Sequence, residues 1–129
     1  MESVSNNFWS MKIFGWLPDE DMPILRPPTQ DAELQIDSYD SMSREYWLEM
    51  LEGISDSVPE GTSIAEVQCG DFEGVFCEYF DEEDSYNGEW LLSYPDMAIY
   101  ATLVCRKDVG KKYREEVSRI FSTLKENRP

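Results

Sequence analysis

The side chains with the greatest capacity for chemistry in this chain are carboxylates. Asp81-Glu82-Glu83-Asp84 is a run of four, flanked by Tyr79, Phe80, Tyr86 and Trp90; Asp19-Glu20-Asp21 is a run of three, close to Trp16. Such oxygen-rich segments suggest Ca²⁺, but an EF-hand loop alternates its ligands around a central glycine and closes on a glutamate. Asp81 to Gly88 lacks that spacing, and a solvated acidic loop is the simpler expectation. A paired-carboxylate hydrolase needs two acids facing one another across a cleft, which adjacency along the chain does not specify. The chain has no histidine, so imidazole acid–base catalysis and Ser-His-Asp or Cys-His nucleophiles are excluded. It has no G-x-x-x-x-G-K-[ST] and no G-x-G-x-x-G, the loops that cradle nucleotide phosphates. Cys69, Cys77 and Cys105 lie in strand-like stretches and match no zinc spacing; buried, reduced thiols are expected. No catalytic residue, metal or cofactor is assigned.

Charge is the most unusual property. The net charge is −16, and it is unevenly distributed. Residues 1–105 carry 23 acidic and 3 basic side chains, a net −20, whereas residues 106–129 carry 4 acidic and 8 basic, a net +4. An acidic body of this kind repels nucleic acid and anionic membrane surfaces and accelerates encounter with a basic protein. Solubility alone is the alternative reading of the same charge.

With 129 residues, 41% apolar and 13% aromatic, the chain is expected to be a single globular domain over 1–129, with residues 1–7 loose. No apolar run approaches the ~20 residues that span a bilayer, and the first ten residues do not read as a signal peptide. A cytoplasmic location is therefore expected.

The elements that position these residues follow from periodicity. Phe8 to Phe14 reads as a first strand, Met22 to Arg26 as a short strand ended by Pro27-Pro28, and Ala32 to Tyr39 as a half-buried strand alternating Leu34 and Ile36 with Glu33, Gln35 and Asp37. Ser41 to Ile54 reads as a helix capped by Ser41 or Ser43, with a stripe of Tyr46, Trp47, Met50, Leu51 and Ile54. Ser63 to Cys69 and Gly74 to Phe80 are the next strands, and Asn87-Gly88 is a turn dipeptide. The spine is the stretch from Gly88 to Leu124: a strand, a turn at Tyr94-Pro95-Asp96, a strongly apolar strand from Ala98 to Cys105, and a helix running to the C-terminus with Tyr113, Val117, Ile120, Phe121 and Leu124 on one stripe. The predicted order is β-β-β-α-β-β-β-β-α, an α+β fold with an antiparallel sheet and helices packed on its faces. Trp47, Met50, Leu51, Val75, Cys77, Leu103, Val117, Ile120 and Phe121 are the expected core.

This element order, together with Gly15-Trp16 and the ending Ile120 to Lys125, resembles the PsbP-like α/β/α sandwich superfamily, which includes PsbP, the yeast Ran-binding Mog protein and bacterial DcrB-like domains. The resemblance implies a non-catalytic scaffold that binds other proteins.

The expected function is accordingly that of a non-enzymatic, bacterial protein-interaction domain, monomeric or weakly dimeric, that binds a partner with a basic surface: an immunity protein, or an adaptor or chaperone for an effector. Asp81, Glu82, Glu83, Asp84 and Tyr86 form one candidate patch; Trp16, Asp19, Glu20 and Asp21 form the other. Rings supply buried area and carboxylates pair lysine or arginine. The principal alternative is a groove between sheet and helix, lined by aromatic and methionine side chains, for a small ligand or an apolar helix. A carboxylate hydrolase, a Ca²⁺-binding module and a mimic of nucleic acid are further readings.

Overall fold

The computed structural model describes residues 3–5, 9–18, 24–39, 43–95 and 97–126. Ten strands and two helices occur among these: β1 (Ser3–Ser5), β2 (Trp9–Lys12), β3 (Leu17–Pro18), β4 (Ile24–Arg26), β5 (Ala32–Tyr39), α1 (Arg44–Ser57), β6 (Ile64–Cys69), β7 (Phe72–Phe80), β8 (Ser85–Tyr94), β9 (Met97–Arg106), α2 (Gly110–Phe121) and β10 (Lys125–Glu126). A 3₁₀ turn, Lys107–Val109, leads into α2. Seven strands form one antiparallel sheet in the order β3-β4-β5-β9-β8-β7-β6, and β1, β2 and β10 form a second, three-stranded one.

The central position of β9 follows from its composition. A strand apolar on both faces must be covered on both, and β9 pairs with β8 from Met97 to Arg106 and with β5 from Ala98 to Cys105. Alternation then separates the two faces. Trp90 and Leu92 of β8 point to one side, where they join Tyr113, Val117, Ile120 and Phe121 of α2 in the larger core cluster. Leu91, between them, points to the other side and meets Cys77 and Ile54 of α1. The two helices therefore lie on opposite faces of the large sheet, and β2 adds Trp9 and Met11 to the α2 side.

The two sides are unequally sealed. On α2, Tyr113, Val117, Ile120 and Phe121 are all buried. On α1 only Ile54 is, while Trp47, Met50 and Leu51 stay half-buried and Leu48 and Tyr46 are exposed. Of the expected core, Cys77, Leu103, Val117, Ile120 and Phe121 are buried; Trp47, Met50, Leu51 and Val75 are not, because α1 sits high on its face of the sheet. All three cysteines are buried and unbridged, and burial raises the thiols to about 11.

Other departures from the sequence-based assignment have local causes. Residues 3–5 are paired with β2 rather than loose. Helix α1 starts at Arg44, where the Ser43 hydroxyl caps it by accepting from Tyr46 N at 3.1 Å, and it ends ahead of Pro59. Asn87-Gly88 is not a turn; it lies inside β8, and the chain reverses at Asp81–Asp84. Helix α2 ends at Phe121, and Lys125–Glu126 returns as a strand beside β2. That return demands glycine at position 70: φ there is +61°, and a Cβ would stand 2.0 Å from the Leu124 carbonyl oxygen.

Candidate functional site

The acidic loop between β7 and β8 is a built turn. The Asp81 carboxylate accepts from Glu83 N at 2.9 Å and Ser85 N at 3.0 Å through Oδ1, and from Asn87 Nδ2 at 3.2 Å through Oδ2. These bonds, the Ser85 backbone N–H foremost, hold its pKa below the usual carboxylate range. Asp84 takes a left-handed conformation, φ +59°, to close the turn. Asp81 is thus occupied in shaping the loop, and Glu82, Glu83 and Asp84 are exposed.

The two rings assigned to partner contact are corrected. Trp16 is 1% exposed; its ring meets Tyr113 edge-on at 5.7 Å, and its Nε1 donates to Glu116 Oε1 at 3.1 Å. Tyr86 is 3% exposed, directed under α2 by strand alternation, and its ring fills the space that a Cβ at Gly110 would need, 2.7 Å away. Both are core side chains, so neither offers a face to a partner. Asp19, Glu20 and Asp21 lie outside the described residues.

The sequence anticipated a groove between sheet and helix without placing it; two concave regions have linings that were not singled out. The first is a groove of about 630 Å³ between α1 and the β6–β7 end of the sheet. Trp47 and Leu51 form its helical wall and Val75 its floor, with Glu66, Glu73 and Arg44 at its polar margin. It exists because α1 crosses the sheet without filling the space beside it. β6 is the terminal strand of the sheet, so among the described residues its outer edge has no partner strand, and Ile64 on it is 40% exposed. The signal for this region was present in β6, where Ile64, Glu66 and Gln68 alternate with Ala65 and Val67.

The second is a cavity of about 320 Å³ at the opposite end of β7, lined by Glu78, Phe80, Tyr86, Lys107, Lys111 and Arg114 with Tyr79 at its margin. The Glu78 carboxylate receives Arg114 Nη1 on both oxygens, at 2.8 and 3.1 Å, and the Tyr86 hydroxyl donates to it at 2.6 Å. Burial and this bond to an anion push the Tyr86 pKa upward. Lys107 Nζ lies 5.2 Å from the centroid of the Phe80 ring.

Glu89 is buried on the α1 side of β8, between Cys77 and Thr102 in register, and accepts from the Tyr100 hydroxyl. Burial foremost, then hydrogen bonding to Glu89, raises Tyr79 to about 12. Among the described residues, no group of three or more Cys, Asp or Glu side chains converges as metal ligands would, and no helix is long and apolar enough to cross a membrane.

The fold also sorts the charge. Glu33 and Asp37 of β5, Glu66 of β6 and Glu73 of β7 point to the α1 side, opposite Val104, Tyr100, Val75 and Ser93 in register. Glu45, Glu49, Glu52 and Asp56 are exposed on α1 itself. The cations of α2, namely Lys111, Lys112, Arg114 and Arg119, lie on the other side. The α1 face is thus strongly acidic, whereas α2, with four cations against Glu115 and Glu116, is net positive.

No family model matches this chain. No curated protein matches it either. Among solved structures, the chain is similar to a protein from Bacteroides thetaiotaomicron VPI-5482 determined at 1.50 Å resolution, with a TM-score of 0.70 and 16% identity. The match covers 96% of this chain and 47% of that one, so the chain spans about half the length of its structural neighbour. A likeness at this identity shows the fold alone: an antiparallel sheet with two helices, of the α+β class.

Proposed function

We propose that this chain is a non-enzymatic interaction domain whose acidic α1 face docks a basic segment of a partner protein. The observation that carries this reading is the coincidence of the open α1 groove with the acidic side of the molecule. Glu66 and Glu73 would pair lysine or arginine at the margin, while Trp47, Leu51 and Val75 would take the apolar part of the same segment. The exposed acids Glu82, Glu83 and Asp84 contribute to long-range attraction. An immunity protein or an effector adaptor has such a task, and the partner is a protein, since the charge disfavours nucleic acid and anionic membrane. The helix on each face of one sheet also supports assigning the fold to the PsbP-like α/β/α sandwich. The volume and apolar wall of the groove favour, as the second reading, a small apolar ligand in the same place.

The test uses a fluorescently labelled peptide of alternating lysine and valine and a glutamate–valine counterpart. Anisotropy should show binding of the basic peptide only, with a rate of association that falls as salt rises. Glu66→Lys with Glu73→Lys should abolish it, whereas Glu82→Ser with Glu83→Ser should only slow it. Equal binding of both peptides, or binding indifferent to salt and to the Glu66 and Glu73 reversals, would refute the acidic-face reading.

A further inference from the structure

We propose that the cavity at the β7–α2 corner is a binding site for a small organic anion: a planar ring bearing one phosphate or carboxylate. It lies on the α2 side, away from the acidic groove, and the inference does not depend on the partner reading.

The chain has 27 acidic and 11 basic side chains, yet among the described residues the ion pairs are made by Arg26, Arg106 and Arg114, and the lysines stand without carboxylate partners. Lys107 and Lys111, both lining this cavity, form no ion pair with any described residue. Three of the neighbouring carboxylates are engaged elsewhere, while Glu115, four residues beyond Lys111, and Glu82, Glu83 and Asp84 of the β7–β8 loop are exposed and do not line the cavity. Asp108 pairs with Arg106 at 3.5 Å, Asp81 is tied into its own turn, and Glu78 is held by Arg114 and Tyr86. The cavity lining itself holds three cations, Lys107, Lys111 and Arg114, and one carboxylate, Glu78, a local excess of positive charge in an acidic protein.

The positions are set by the fold. Lys107, Lys111 and Arg114 are spaced i, i+4, i+7 along the 3₁₀ turn and α2, which puts them on one stripe. The Arg114–Glu78 pair and the Tyr86–Gly110 packing fix that stripe against β7 and β8. The apolar side of the cavity is Phe80, 49% exposed and 6.1 Å from Tyr86 between ring centroids. A half-exposed ring with Lys107 over it, beside two ammonium groups that form no ion pair among the described residues, suits a ligand with an apolar plane and an anionic end. A volume of about 320 Å³ is at the lower end of small-molecule sites.

The test is a backbone amide NMR titration with phenyl phosphate, with inorganic phosphate and phenol as separate probes. Phenyl phosphate should move the amides of Phe80, Tyr86 and residues 107–114 more than those near Lys12, Arg119 and Lys125. Phenol and inorganic phosphate should each bind at least ~10-fold more weakly. Lys107→Gln with Lys111→Gln, both exposed and without an ion pair among the described residues, should weaken phenyl phosphate ~10-fold or more with an otherwise native spectrum. Glu78→Gln should act in the opposite direction and tighten it severalfold, because it removes the opposing carboxylate and releases Arg114; a merely structural role for these residues would not produce that reversal. Shifts spread evenly over all exposed cations, or an affinity unmoved by the lysine substitutions in a folded protein, would overturn the proposal. Inorganic phosphate binding as tightly as phenyl phosphate would overturn the ring component.

Discussion

Replacing Phe121 and Leu51 separately by alanine tests whether the two helices are as unequally seated as the structure implies. Phe121 has no exposed surface and meets Trp90 edge-on at 5.2 Å between centroids. Its loss removes ~2–3 kcal/mol of apolar transfer and leaves a closed cavity, so Phe121→Ala should cost ~3–5 kcal/mol. Leu51 is half-buried and borders the open groove. Solvent already reaches it, so no closed cavity forms, and Leu51→Ala should cost only ~1 kcal/mol. Urea unfolding followed by far-ultraviolet circular dichroism resolves the two, provided the denaturant slopes agree. In thermal melts Phe121→Ala should fall by roughly 10 °C or more and Leu51→Ala by a few degrees. Equal costs would mean that α1 is seated as firmly as α2 and that the groove is closed in solution, which removes the basis of the docking proposal.

Two further outcomes follow from titratable groups. Asp31 accepts from Thr29 Oγ1 at 2.6 Å and from the Tyr113 hydroxyl, and these bonds lower its pKa; its stabilisation is therefore complete above the unfolded value of ~3.9 and is lost as pH falls through the lower folded value. Stability curves of the native chain and Asp31→Asn should converge in acid and separate above ~pH 4; parallel curves would dismiss this. The three thiols, buried and raised to about 11, should resist a disulfide reagent at pH 8 until the chain is unfolded, and a thiol titrated under native conditions would contradict the burial.

The sequence revealed the fold class more readily than the site, and the reason lies in what periodicity encodes. The apolar run of β9 and the stripe on α2 are local patterns with one good solution, a central strand and a helix packed on it. The same logic failed for α1, whose stripe looks as apolar as that of α2; how deeply a helix sinks depends on the opposing sheet, where Glu66 and Glu73 stand at the margin. Burial of Trp16 and Tyr86 was equally invisible, because each depends on α2, about 100 residues from Trp16 and tens of residues from Tyr86. Asp81 read as one acid of four, and only turn geometry separates it from Glu82 and Glu83. The Lys107–Lys111–Arg114 stripe was available from spacing, but its significance depends on which carboxylates the fold takes away.

The small sheet has a consequence for the order of events as the chain is made. Lys125 pairs with Ser10 and Glu126 with Trp9, while Lys12 N donates to Thr123 Oγ1 at 2.8 Å and Glu126 N to Asp71 Oδ2 at 3.0 Å. β5 likewise waits for β9, whose first partner for it, Ala98, comes 59 residues after Tyr39. During vectorial synthesis β2 has no second neighbour until residue 126 has left the ribosome, so Trp9 and Met11 remain without their final cover until then. Closure over nearly the whole described length makes the ladder slow to form and defers the last step of folding until after translation of the α2–β10 segment. A nascent chain stalled before that segment should present an unfinished, adhesive core to whatever surrounds it.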